Sequence, residues 1–146
     1  MIKKLYIAYG SNLNVMQMAY RCPDAKPLGV SSLEGYKLTF RGNRRGCGVA
    51  NVEKCKGSSV PVGVWSISFA DEYNLDVYEG YPHLYEKEYK EVVLDGEKVS
   101  CLVYVMTKGH VICEPTSSYL NTIREGYRDF GIDQKCLDDA VRQCRG

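Results

Sequence analysis

Tyr85-Glu86-Lys87-Glu88-Tyr89-Lys90-Glu91-Val92-Val93-Leu94-Asp95-Gly96-Glu97-Lys98-Val99-Ser100-Cys101-Leu102-Val103-Tyr104-Val105-Met106-Thr107 is the part of the chain whose pattern decides the fold. Residues 85–94 alternate well enough for a half-buried strand, and 99–107 are rich in Val, Tyr and Cys. Asp95-Gly96 between them supplies the two residues that best tolerate positive φ, as a type I′ turn requires. The reading is an antiparallel hairpin.

Working back toward the N-terminus, Ser68-Phe69-Ala70-Asp71 has capping-box spacing, with Asp in place of Glu. It predicts a helix to about Tyr78, with Glu79-Gly80 at its C-terminal end. Leu5 to Tyr9 reads as a short buried strand broken by Gly10-Ser11-Asn12. Asn12 or Asn14 can cap a short helix through Met16, Met18 and Tyr20, ended by Pro23. Further strands are expected at Leu28 to Leu33, Tyr36 to Phe40, Val49 to Val52 and Val62 to Ile67, with a turn at Arg41 to Gly46 and a Ser/Gly/Pro loop at 57–61. Beyond the hairpin, helices are expected over roughly Ser117 to Phe130 and Gln134 to Arg145, the second capped by Asp133. No repeat or linker interrupts the series. The expectation is one α+β domain spanning residues 1–146, with its short strands forming a small barrel.

A chain of 146 residues can bury a core without disulfides or metals. Its 19 basic and 18 acidic side chains leave a formal charge of +1, which argues against a mainly electrostatic nucleic-acid binder. The apolar run after Lys3-Lys4 ends at Gly10, too short for an export signal, and no stretch approaches the ~20 apolar residues of a membrane span. A cytoplasmic location without membrane attachment is the expectation. The seven cysteines include no C-x-x-C pair, so zinc, redox pairs and disulfides are not expected. Only two histidines occur, His83 and His110, against twelve tyrosines. A metal centre or imidazole relay is therefore not expected, and no cofactor is implied.

Two segments are candidates for chemistry. Tyr9-Gly10-Ser11-Asn12-Leu13 is a sharp strand-to-helix turn, whose free N–H groups can cradle a carboxylate or another anion. An ordinary capped connection accounts for these residues equally well. Glu79 ends a helix among Tyr78, Tyr81 and Tyr85. The wrong end of the helix dipole and aromatic desolvation both raise a carboxyl pKa toward the range of a general base. An exposed Glu beside a glycine cap is the plainer reading. Arg41-Gly42-Asn43-Arg44-Arg45-Gly46-Cys47-Gly48 has the glycines of a phosphate loop but lacks the Gly-Lys-Ser/Thr that would complete one.

Taken in order, Tyr9-Gly10-Ser11-Asn12-Leu13 after the first strand, Glu79-Gly80 before a Tyr-bearing strand, Val103 to Thr107, and Pro115-Thr116-Ser117-Ser118-Tyr119 opening a helix resemble the γ-glutamylcyclotransferase (AIG2-like) superfamily. The resemblance covers most of residues 1–130. It implies a small, mostly antiparallel β-barrel with flanking helices, and an enzyme that needs no cofactor or metal. By position it makes Tyr9, Gly10, Ser11, Asn12 and Leu13 the substrate-carboxylate loop, Glu79 the acid/base, and Tyr85 and Tyr119 pocket residues. The implied reaction is cyclisation of a γ-glutamyl amine or peptide to 5-oxoproline with release of the free amine. A non-catalytic protein of the same fold that binds γ-glutamyl or carboxylate compounds is the alternative.

Overall fold

The computed structural model describes residues 3–146. Asp95 and Gly96 take φ values of 51° and 82°, making the hairpin turn that the sequence predicts. They join β4 (Tyr85–Leu94) to β5 (Glu97–Met106), which pair antiparallel from Tyr85↔Met106 to Leu94↔Glu97. Beside β5 lies β1 (Lys4–Ala8), parallel to it at Tyr6↔Leu102. On its other edge β1 pairs antiparallel with β3 (Gly48–Ile67), which in turn pairs with β2 (Lys26–Gly42). The strand order is β2-β3-β1-β5-β4.

Two expectations need correction here. The strands foreseen on either side of Glu34-Gly35 are a single strand, β2, and those at 49–52 and 62–67 are both parts of β3. The Ser/Gly/Pro stretch at 57–61 lies inside β3, with Ser59 opposite Glu34 and Val60 opposite Leu33. The register shifts between Glu34 and Tyr36, where Gly35 (φ 81°) and Gly57 (φ 86°) take left-handed conformations. These glycines make a bulge that bends the ribbon, and a bulge has much the same composition as a turn. Pro61 is tolerated because β1 reaches only as far as Gly63, leaving β3 one unpaired side.

The second correction concerns closure. The sheet curls, but no ladder joins β2 to β4, so the barrel is open at that seam. The edges are tied instead by the Ser31 hydroxyl, which donates to the Val93 carbonyl at 2.5 Å.

The helices follow their caps. In α1 (Val15–Arg21) Asn14 is the N-cap, its side chain accepting from the Gln17 N–H. In α2 (Phe69–Glu79) both halves of the Ser68/Asp71 capping box form, and Gly80 closes the helix at φ 67°. Thr116 caps α3 (Ser117–Asp129). The start of α4 (Lys135–Arg145) differs from expectation: Gln134 holds the cap position, and the Asp133 carboxylate accepts the Lys135 N–H. Ile7, Phe40, Val64, Ile67 and Leu102 from the sheet are fully buried with Leu75, Ile123 and Leu137 from the helices. Each such side chain contributes ~1.5–3 kcal/mol. Among the described residues no helix is long and apolar enough to cross a membrane.

Candidate active site

Five chain segments converge at one end of this core. The end of β1 delivers Tyr9 and the 3-10 turn Ser11–Leu13, and the last turn of α2 delivers Glu79. The starts of β4 and α3 bring Tyr85 and Tyr119, and the start of β3 brings Ala50. Tyr9, Gly10, Ser11, Asn12, Glu79, Tyr85 and Tyr119 line a single small cavity of about 20 Å³. Tyr6, Ala50 and Tyr104 complete its wall.

Leu13 departs from the expectation. It is fully buried and faces the core, where its side chain lies against Gly63. Its N–H is also taken up, donating to the Gly10 carbonyl at 3.0 Å. A 3-10 turn closes that bond by construction, so Leu13 anchors the loop and does not line the cavity. The N–H groups of Gly10, Ser11 and Asn12 have no acceptor among the described residues.

Close packing holds the loop in place. A Cβ on Gly10 would stand 3.0 Å from the Ala50 Cβ, so glycine lets the turn reach β3. A Cβ on Gly126 of α3 would lie 2.7 Å from the backbone N of Asn14 and the carbonyl carbon of Leu13. The Asn14 amide also donates to the Thr122 carbonyl at 3.0 Å and to Glu125 at 3.1 Å. Thus α3 clamps the turn from outside.

The tyrosines form a ring of neutral phenols. Tyr9 donates to the Tyr104 carbonyl at 2.6 Å, and Tyr85 to the Ala50 carbonyl at 2.5 Å. The Tyr104 hydroxyl donates to Asp76 at 2.5 Å. By contrast Tyr119 accepts the Ala50 N–H at 3.0 Å, and Tyr6 accepts from the Asn12 amide at 3.0 Å. Those two keep a hydroxyl proton free for another partner. Burial, reinforced by the nearby Glu79 carboxylate, holds all five hydroxyls well above the usual phenol range.

Glu79 is half-buried as a residue, but its carboxyl is surrounded by the cavity wall, and that environment governs its ionisation. It accepts no hydrogen bond from any described residue. Desolvation pushes its pKa up to about 8, against a smaller downward pull from Arg21. Of the two causes expected, desolvation is the one that accounts for the rise.

Arg21, Tyr6, Tyr104 and Ala50 received no role from the sequence. Arg21 stacks over the Tyr78 ring at 3.6 Å and donates to the Asn12 side chain at 2.8 Å. Tyr78 in turn shares a 3.0 Å hydrogen bond with the Ser11 hydroxyl, tying α2 to the loop. For Tyr6 the available signal was its place in the strand leading into the turn. Arg21 and Ala50 carry none, because only the tertiary fold brings them here.

No histidine or cysteine lines the cavity. A larger hollow of about 560 Å³ beneath α4 has no comparable chemistry. Its carboxylates Asp133 and Asp139 are engaged by the Lys135 N–H and ammonium group.

Comparison with known proteins places this arrangement. A family model described as "Gamma-glutamyl cyclotransferase, AIG2-like" matches residues 6–126. The chain is 31% identical over 137 residues to γ-glutamylcyclotransferase of Homo sapiens, covering 88% of this chain and 72% of that protein. It is 31% identical over 140 residues to the Mus musculus γ-glutamylcyclotransferase, covering 90% and 73%. A solved structure titled "Gamma-glutamyl cyclotransferase" superposes with a TM-score of 0.85 at 27% identity, covering 95% of this chain and 86% of that one. The protein therefore belongs to the γ-glutamyl cyclotransferase, AIG2-like family.

Proposed function

We propose that the protein cyclises a γ-glutamyl amine or peptide to 5-oxoproline and releases the free amine, with Glu79 as the single acid/base. The observation that carries this reading is the Glu79 carboxyl, desolvated to a pKa of about 8 and facing a turn with free N–H groups. A pKa near the working pH suits a group that must both accept and return a proton.

The substrate brings its own nucleophile. Its α-amine attacks the γ-carbonyl carbon and closes a five-membered ring. The Glu79 carboxylate takes the proton from the attacking nitrogen and returns it to the leaving nitrogen as the C–N bond breaks. No water is consumed. Holding the folded conformer contributes up to ~7–11 kcal/mol in favourable intramolecular cases. The Gly10, Ser11 and Asn12 N–H groups meet negative charge, either on the α-carboxylate or developing on the carbonyl oxygen. Tyr119, whose hydroxyl proton is free, can donate to the substrate or to Glu79.

A cavity of about 20 Å³ has room for roughly one water. A γ-glutamyl group is larger than that, and the Ser11–Tyr78 hydrogen bond ties the loop to the end of α2.

The testing experiment is a panel of γ-glutamyl compounds assayed for 5-oxoproline. Release from at least one supports the enzyme; binding without release favours the non-catalytic alternative. Within that assay, Tyr119→Phe should lower kcat/KM by ~2–10-fold, the worth of one net hydrogen bond. Tyr85→Phe should act in the same direction by leaving the Ala50 carbonyl unpaired. Unchanged kcat/KM in both variants would mean that these rings only pack.

A further inference from the structure

Arg21, half-buried at the end of α1, is held by neutral groups alone among the described residues. Its guanidinium donates to two amide oxygens, of Asn12 at 2.8 Å and Gln17 at 2.7 Å, and stands 3.6 Å from the centre of the Tyr78 ring. No carboxylate cancels its charge, which is left to act on whatever anion comes near.

The hydrogen bonds carry that charge toward the Glu79 cavity. Arg21 donates to the Asn12 Oδ1, and the Asn12 Nδ2 donates to the Tyr6 hydroxyl at 3.0 Å. Tyr6 lines the cavity and keeps its own proton to donate. Every bond in this chain points the same way, so each polarises the next. On the other face of the guanidinium, the Tyr78 hydroxyl meets the Ser11 hydroxyl at 3.0 Å. Ser11 and Asn12, the middle of the loop, are therefore both placed by reference to Arg21.

The cavity wall contains one charged group, Glu79, and no cation. Facing it are the neutral phenols of Tyr6 and Tyr9 from β1 and its end, Tyr104 from β5, Tyr85 from β4 and Tyr119 from α3. Asp76, on the same helix as Glu79, is engaged by Lys87 at 2.8 Å, and Glu88 on β4 by Lys90 at 2.9 Å. Arg21 is the cation whose field reaches Glu79. A γ-glutamyl compound brings a second negative charge, its α-carboxylate. Two anions in one small desolvated space repel, which opposes either binding or ionisation of Glu79.

We propose that Arg21 is the counter-charge of this site, allowing an anionic substrate and an ionised Glu79 to share the cavity and making the free α-carboxylate a condition of tight binding. Arg21 is a positioning residue: it acts through Asn12, Tyr6 and its field, and does not touch the reacting atoms. The inference rests on the cyclisation reading above and adds to it the group that selects the anionic end of the substrate. With the charge removed, Glu79 loses its proton only at higher pH, so the acid limb of the rate profile moves upward.

The test has two arms. In the first, γ-glutamylethylamide and its α-carboxamide are titrated calorimetrically into Glu79→Gln. The carboxylate should bind about tenfold tighter, the factor that corresponds to one pH unit of charge interaction. Adding Arg21→Gln should bring the ratio toward one, whereas adding Arg21→Lys, which keeps the charge but not the flat two-pronged contact, should retain most of it. In the second arm, kcat/KM for the ethylamide is followed from pH 6 to 10 and corrected for the substrate amine. The acid limb of Arg21→Gln should lie about one pH unit above that of the parent, and that of Arg21→Lys close to the parent. Equal affinities or no binding in Glu79→Gln, a ratio that survives Arg21→Gln, or an acid limb that Arg21→Gln leaves in place overturns the proposal. So does Arg21→Lys behaving like Arg21→Gln, since the residue would then only tie α1 to the loop. Thermal melts check each fold, and if Arg21→Gln does not fold, the ratio kept or lost in Arg21→Lys decides. If the parent releases no 5-oxoproline from the ethylamide, the cyclisation reading fails for that compound, and the calorimetric arm alone judges Arg21.

Discussion

Glu79→Gln should lose ~10²–10⁴ of the cyclising activity, the usual contribution of a general acid–base group, while remaining folded and still binding a γ-glutamyl compound. The amide keeps the shape of the carboxyl and removes only its capacity to take a proton. Nothing else lining the cavity can replace it: the phenols are held neutral by burial, and no histidine or cysteine reaches the site. The check is 5-oxoproline release by parent and variant on a substrate that the parent turns over. Glu86, exposed on β4, is the carboxylate control, and Glu86→Gln should keep most of the rate. Asp76 is a poorer control than its sequence position implies, because its carboxylate holds Tyr104 and Lys87 in place. Turnover retained in Glu79→Gln would move the proton-transfer role to another residue.

The second large effect is expected from a methyl group outside the cavity. Gly126→Ala places a Cβ 2.7 Å from the backbone of Leu13 and Asn14, so α3 or the loop must shift. Overpacking of this kind costs ~2–3 kcal/mol, which lowers Tm by roughly 5–10 °C in a chain of this size. Activity should fall further than stability alone requires, because the displaced segment carries the Gly10–Asn12 N–H groups. Thermal melts and kcat/KM measured well below Tm separate the two effects. Unchanged values of both would show that α3 gives way without moving the turn.

The elements legible in the sequence were those set by local chemistry. Asp95-Gly96 specifies its hairpin through positive φ, and Ser68 with Asp71 specifies the start of α2 through two reciprocal hydrogen bonds. The errors arose where composition has two meanings. Gly35 and Gly57 looked like strand ends, but paired strands on both sides turn them into a bulge within two long strands. Whether β2 meets β4 is a matter of curvature accumulated over the sheet, which no short segment records.

The site divides in the same way. The turn after β1 and the carboxylate at the end of α2 were each visible as weak local signals, and the family resemblance joined them. Leu13 was included because it belongs to the motif, and its place in the core follows from the 3-10 bond to Gly10. The wall contributed by Ala50 and Tyr104 was not visible. The bonds that define it, from Tyr85 to Ala50 and from Tyr9 to Tyr104, span 35 and 95 residues.

The most direct test of Glu79 as proton carrier is the pH dependence of kcat/KM on a cyclised γ-glutamyl compound between pH 6 and 9. The titration of the substrate's own α-amine is measured on the free compound and divided out. Glu79 accepts a proton only as the carboxylate, and burial holds its pKa at about 8 in the free protein. The corrected kcat/KM should therefore rise about tenfold per pH unit at the acid end and level off near pH 8. A corrected profile that is flat from pH 6 to 9 would contradict the account, since the group taking the proton would then be one already ionised throughout that range.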